Sequence, residues 1–99
     1  MKIDFNKPFC DLDGKQVGDL AICKELARYF AADTHKESGF SPLDAYDIAL
    51  KLNRGEVIDL KKGEQKQFKE WVEKSDALNV LFKGQILEII GNSKEIEDK

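Results

Sequence analysis

Asp11, Asp13 and Gly14 follow the order of a calcium loop, with two acids just ahead of a glycine. Such a loop needs an acid at its first position and a chelating Glu at its last. Setting Gly14 at the loop's glycine puts Phe9 at the first of these and Leu20 at the last. Neither side chain ligates a cation, so the stretch reads as a turn with acidic flanks and no metal is expected. His35 is the single histidine, which removes every site built on a histidine pair and leaves a solvent-facing loop residue as the expectation. Cys10 and Cys23 lie thirteen residues apart with no CxxC spacing. They read as reduced thiols, with Cys23 a small buried hydrophobe. A disulfide between them stays open, and nothing in the spacing favours it.

The paired carboxylates, Asp44 with Asp47 and Glu70 with Glu73, fall on polar helix faces, whereas a catalytic acid needs a desolvated cleft. Gly14 and Gly18 are not followed by the Gly-Lys-Ser/Thr of a phosphate loop. The expectation is therefore no enzymatic activity, no catalytic residue, no cofactor and no small-molecule substrate. What remains is recognition. Val80 and Leu87, seven apart with Gly84 between them, point away from the inward face of their helix and would let another backbone come close. Either the N-terminal hairpin or residues 56–60 cover these three from within the chain, or another molecule does. Val80, Gly84 and Leu87 are thus the candidate interface, toward a protein partner or a second copy.

The elements that must position these residues are legible from periodicity. Residues 2–17 have strand character at both ends around Asp13-Gly14, a dipeptide suited to a tight hairpin turn, and Pro8 interrupts or edges the first strand. A helix is expected over 19–32, capped by Asp19, with Leu20, Ile22, Cys23, Leu26, Ala27, Tyr29 and Phe30 on one face. Residues 33–40 read as a loop. Ser41-Pro42-Leu43-Asp44 opens a second helix with a cap, a first-turn proline and an acid, and Ala45, Ile48, Ala49 and Leu52 form its buried stripe. Gly55 suits the stop. Residues 56–60 are a short strand joining the hairpin, or an extended connector. A third helix covers 62–74 with Phe68, Trp71 and Val72 inward, although Lys61 stands where a cap residue belongs. A fourth covers 76–90, with Leu78, Leu81, Phe82, Ile86, Ile89 and Ile90 inward, and Gly91-Asn92 ends it. Residues 1–92 form one domain, and the charged stretch 93–99 reads as a disordered tail.

Composition bounds the rest. In 99 residues, 41% are apolar and 35% charged, with 16 Lys and Arg against 19 Asp and Glu, net −3. A chain of this size buries roughly 60–65% of its unfolded surface, so the core is thin. Nucleic-acid binding draws on a basic face, but the most basic stretch, 61–74, sets five lysines against three glutamates. That is the pattern of a solvated helix surface, and nucleic acid is not the expected partner. No apolar run reaches the ~18 residues of a membrane span, and the start has no signal-like apolar stretch.

Taken together, KIDFNKPFCDLDGKQV, YDIALKLNRGEVIDL and LFKGQILEII resemble a type of small protein encoded in prophages and phages. Those proteins open with a DLDG hairpin and end in a helix with a similar KGQILE stretch. The resemblance covers most of residues 2–90, and its motifs are a turn and two helix faces. Lys61 and Lys62 replace the cap residues usual in that group. It implies a bacterial cytoplasmic setting and a phage accessory role, and assigns no site residue.

The expected fold is α+β, mainly α: a short N-terminal β-hairpin, extended or not by a third strand at 56–60, packed on about four helices. The expected function is a protein-interaction module, such as a phage accessory or morphogenesis factor acting through a helical surface. The alternative is a small transcriptional or nucleic-acid-associated regulator using the hairpin as a wing.

Overall fold

Asp11 folds the N-terminal turn around its own carboxylate. Its Oδ1 accepts from the backbone N–H groups of Asp13 (2.9 Å) and Lys15 (3.0 Å), while Gly14 takes the left-handed φ of +82° that closes the turn. The computed structural model describes residues 2–97, with side chains described through residue 92. In it this turn joins strand β2 (Pro8–Cys10) to β3 (Gln16–Ala21) in an antiparallel hairpin. Pro8 faces Ala21 and Cys10 faces Gln16, so a single residue of β2, Phe9, lies opposite four residues of β3. That bulge contains Asp19 and Leu20, which the sequence places in a helix. The helix α1 instead spans Ile22–Ala32, and Ala21 sits at its cap with no side-chain bond. Ladder pairing holds 16–21 extended, and the first helical N–H, that of Ile22, donates to the Lys7 carbonyl at 2.8 Å. A chain-distant carbonyl thus replaces the local cap, Asp19 caps nothing, and Leu20 is exposed.

Helix α2 (Pro42–Asn53) begins as its sequence dictates. The Ser41 hydroxyl accepts from Asp44 N–H at 3.1 Å, Pro42 occupies the first turn, and Gly55 takes φ +75° beyond the end. Helix α3 (Lys62–Lys74) lacks a capping side chain at Lys61, and its start is secured by Glu64, whose carboxylate accepts from the Lys61 N–H at 2.9 Å. Helix α4 runs Val80–Glu97. Its start is later than 76 because Asn79 is the cap, accepting from Phe82 N–H at 2.8 Å. Gly91-Asn92 does not end it. Gly91 has no left-handed φ, so the turn that terminates helices at glycine is not made. The stretch 93–97 contributes helical backbone, and 98–99 lie outside the described residues.

The third strand exists but does not join the hairpin. β4 (Ile58–Asp59) pairs antiparallel with β1 (Lys2–Ile3), Ile3 opposite Ile58, as a separate two-stranded unit. The architecture is α+β, mainly α. Helices α1 and α2 pack together and β1 lies against α4, while the hairpin is held to α4 by Gln85. The Gln85 amide carbonyl accepts from Cys10 N–H at 3.0 Å and its NH₂ donates to the Cys10 carbonyl at 2.8 Å. One side chain thereby satisfies both backbone groups of a strand residue. The core is aromatic at its centre. Phe30, fully buried, sets its ring 5.4 Å from Phe68, 4.9 Å from Trp71 and 5.6 Å from Phe40. Phe5 extends the cluster against Phe68. Among the described residues, no helix is long and apolar enough to cross a membrane.

Candidate functional site

Two regions carry side chains with something to do: a polar network in the loop before α2, and the solvent faces of α2 and α4.

The network is organised by Asp33 and His35. His35 is buried, 7% exposed, with φ +60°, which overturns its expectation as a solvent residue. Its position in a polar loop concealed this, because the cover comes from elsewhere in the chain: Phe30, Phe40 and Trp71 surround the ring, with Trp71 stacked at 5.9 Å. Nε2 lies 2.6 Å from the Phe30 carbonyl and Nδ1 lies 2.9 Å from Ser38 Oγ. A carbonyl only accepts, so the proton is on Nε2 in the neutral ring, and Nδ1 accepts from the Ser38 hydroxyl. A Ser–His contact at this distance is the start of a nucleophilic pair. Here Ser38 Oγ also accepts from Phe40 N–H at 3.2 Å, and the network's carboxylate contacts the main chain rather than the ring. Asp33 Oδ1 accepts from His35 N–H at 2.9 Å, and Oδ2 accepts from the Trp71 indole N–H. The geometry ties the loop after α1 to α3. Beside it opens a cleft of about 230 Å³, lined by Asp33, Lys36, Gln67 and Glu70 among others.

The His35 N–H first, and the Trp71 indole second, hold the Asp33 carboxyl below its ordinary value. A depressed folded-state pKa gives stability that is complete above the unfolded value and is lost as pH falls through the folded value. Acidification from about pH 5 to about pH 2 is therefore expected to lower the melting temperature more in wild type than in Asp33→Asn. Parallel melting curves that fall equally for both proteins would show that Asp33 contributes nothing to acid sensitivity.

Cys23 is buried and Cys10 half-buried, both free, and burial pushes the Cys23 thiol up. Among the described residues no three His, Cys, Asp or Glu side chains gather where they could hold a metal ion.

The solvent faces are different in character. On α4, Val80 is 87% exposed and Leu87 is half-buried against the core. Gly84 is open: a methyl group placed on it would meet nothing within 4 Å. The hairpin leaves Val80 and Gly84 uncovered, since Gln85 draws it to another flank of α4. Gly91, equally open, continues the same line. On α2, Ala45, Ile48, Ala49 and Leu52 face the core. Leu43 (75% exposed), Tyr46 (61% exposed) and the half-buried Leu50 lie on its opposite side. Helical periodicity sets residues i, i+3 and i+7 on one face. These three could have been found in the sequence, because they fit a helical wheel and do not belong to the buried stripe.

No protein-family profile matches this chain, and neither a curated protein nor a solved structure matches it.

Proposed function

We propose that this protein is a non-enzymatic protein-interaction module that binds through solvent-facing helix surfaces, with α2 supplying the principal one. The carrying observation is that α2 is apolar on two sides. One side fills the core, and the other presents Leu43, Tyr46 and Leu50 at the spacing with which a helix anchors in a partner's groove. Tyr is also among the residues that dominate interface energies. The α4 line of Val80, Gly84 and Leu87 is a second, shallower surface. The resemblance of the hairpin and final helix to prophage- and phage-encoded proteins supports a bacterial cytoplasmic setting and an accessory or morphogenetic role there.

The test is affinity capture from a lysogenic bacterial lysate with wild type and the double variant Leu43→Glu/Tyr46→Glu. Both positions are exposed, so the variant is expected to melt with wild type. Wild type should retain a protein that the variant loses by about tenfold or more. Identical captures by the two folded proteins would remove α2 as the docking surface.

A further inference from the structure

We infer that Ser38 is a nucleophile that accepts one acyl group per chain from a small activated ester entering the cleft between the loop before α2 and α3. Ser38 is half-buried and lines that cleft of about 230 Å³ together with Gln67 and Trp71. A serine hydroxyl is a weak nucleophile until an adjacent base takes its proton, and that base must be oriented by a third group. His35 meets both conditions. Its Nε2–H donates to the Phe30 carbonyl at 2.6 Å, which fixes the tautomer whose Nδ1 lone pair faces Ser38 Oγ, 2.9 Å away. A main-chain carbonyl thus holds the place that a carboxylate takes in a serine triad. Phe30, Phe40 and Trp71 pack around the imidazole and keep it there. The Phe40 N–H, donating to Ser38 Oγ at 3.2 Å, favours the negative charge that grows on this oxygen as its proton leaves.

A second, independent observation belongs to the same cleft. The Gln67 amide has no hydrogen-bond partner among the described residues. It lies over Gly39, where an added methyl group would come within 2.5 Å of Gln67 Nε2, so a glycine directly after Ser38 is what admits it. An NH₂ without an acceptor, beside the nucleophile, is the donor that a tetrahedral oxyanion calls for. Charge selects an acyl over a phosphoryl group. Asp33, Glu37 and Glu70 line the cleft against Lys36 and Lys74, a balance that admits a neutral ester and repels a multiply charged phosphate. In the reaction, Ser38 Oγ bonds to the acyl carbon as its proton passes to His35 Nδ1. The bond from that carbon to the leaving oxygen breaks, the leaving group departs as an anion, and the imidazolium returns its proton to solvent by exchange. The new ester persists. His35 is 7% exposed and its Nδ1 faces Ser38, which leaves no place for a hydrolytic water between base and ester. The step is therefore a single addition, compatible with a module that does not turn over substrate.

The full chain treated with para-nitrophenyl acetate tests this. Wild type should release a burst of one nitrophenolate per chain and then stop, and peptide mass mapping should place the acetyl group on Ser38. Neutral hydroxylamine should remove it, because it cleaves an ester and spares the amides formed on lysines. Ser75 lines the same cleft with no imidazole against its hydroxyl among the described residues, so Ser38 is expected to acylate about 100-fold faster or more. Gln67→Leu should slow the burst about tenfold or more and melt with wild type, since its amide holds nothing in the fold. Ser38→Ala should abolish the burst, and the mapping on wild type decides the assignment even where that variant is destabilised. Acetyl groups on lysines alone, or on Ser38 no faster than on Ser75, overturn the inference. So does a burst that Gln67→Leu leaves unchanged, as regards the oxyanion donor. Continued release of nitrophenolate that Ser38→Ala abolishes overturns the single addition and the non-enzymatic reading together. Docking through α2 is judged separately, by whether lysate capture depends on Leu43 and Tyr46.

Discussion

Phe30→Ala is expected to remove about 3–5 kcal/mol of stability, a large share of what holds the fold together. The ring is fully buried and touches four aromatic neighbours: Phe40, Phe68, Trp71 and the His35 imidazole at 4.3 Å. Truncation removes the transfer free energy of the ring and leaves a cavity that rigid aromatic walls close poorly. Those walls come from the loop before α2 and from α3, so no single element can relax into the gap. A domain of about a hundred residues has roughly 5–15 kcal/mol in all, and each kcal/mol lowers the melting temperature by roughly 4–8 °C at this size. The variant should therefore melt about 15 °C or more below wild type. Leu12→Ala is the control, since Leu12 is 91% exposed at the hairpin tip and should change stability by less than ~0.5 kcal/mol. Comparable melting temperatures for Phe30→Ala and wild type would mean that the aromatic cluster is not the centre of the core.

His35→Ala should cost about 2–4 kcal/mol, from two separable sources. Losing the ring leaves the Phe30 carbonyl and the Ser38 hydroxyl without their imidazole partner and opens space between Phe40 and Trp71. The backbone contributes the second source. At φ +60° a histidine is tolerated better than most residues, but an alanine there is strained. His35→Gly loses the same ring while relieving the strain, so it should be about 1 kcal/mol less destabilised than His35→Ala. Denaturant titration of the three proteins reads both sources. If alanine and glycine are equally destabilised, the backbone share is absent. If neither is destabilised, the network does not tie the loop to α3.

The two effects share a physical origin. Phe30, His35, Asp33 and Trp71 fasten the connection between α1 and α2 onto α3, leaving the solvent side of α2 free for other contacts. The rigidity of α2 matters for the proposed interface, because anchors held on a fixed helix lose less entropy on binding than anchors on a mobile loop.

The amino-acid sequence by itself determined what is encoded within a turn or two of chain. Ser41-Pro42 with Asp44 starts α2, Gly55 stops it, Asp13-Gly14 turns the hairpin, and Phe68, Trp71 and Val72 mark the inner side of α3. Each depends on hydrogen bonds or periodicity among near neighbours, so the signal survives without knowledge of the fold. Tertiary structure decided the features whose partners are distant. Asp19 and Leu20 became strand because β2 pairs with 16–21 and Lys7 supplies the carbonyl for the first helical N–H. Ile58–Asp59 chose Lys2–Ile3 over the hairpin, a pairing between opposite halves of the chain. His35 was buried by Trp71, 36 positions away, and by Phe30 and Phe40. The candidate surfaces fall between these cases. The wheel positions of Leu43, Tyr46, Leu50 and Gly84 are local facts, but which apolar face of a two-faced helix meets the core is settled by packing, which buries the side with Ala45, Ile48, Ala49 and Leu52.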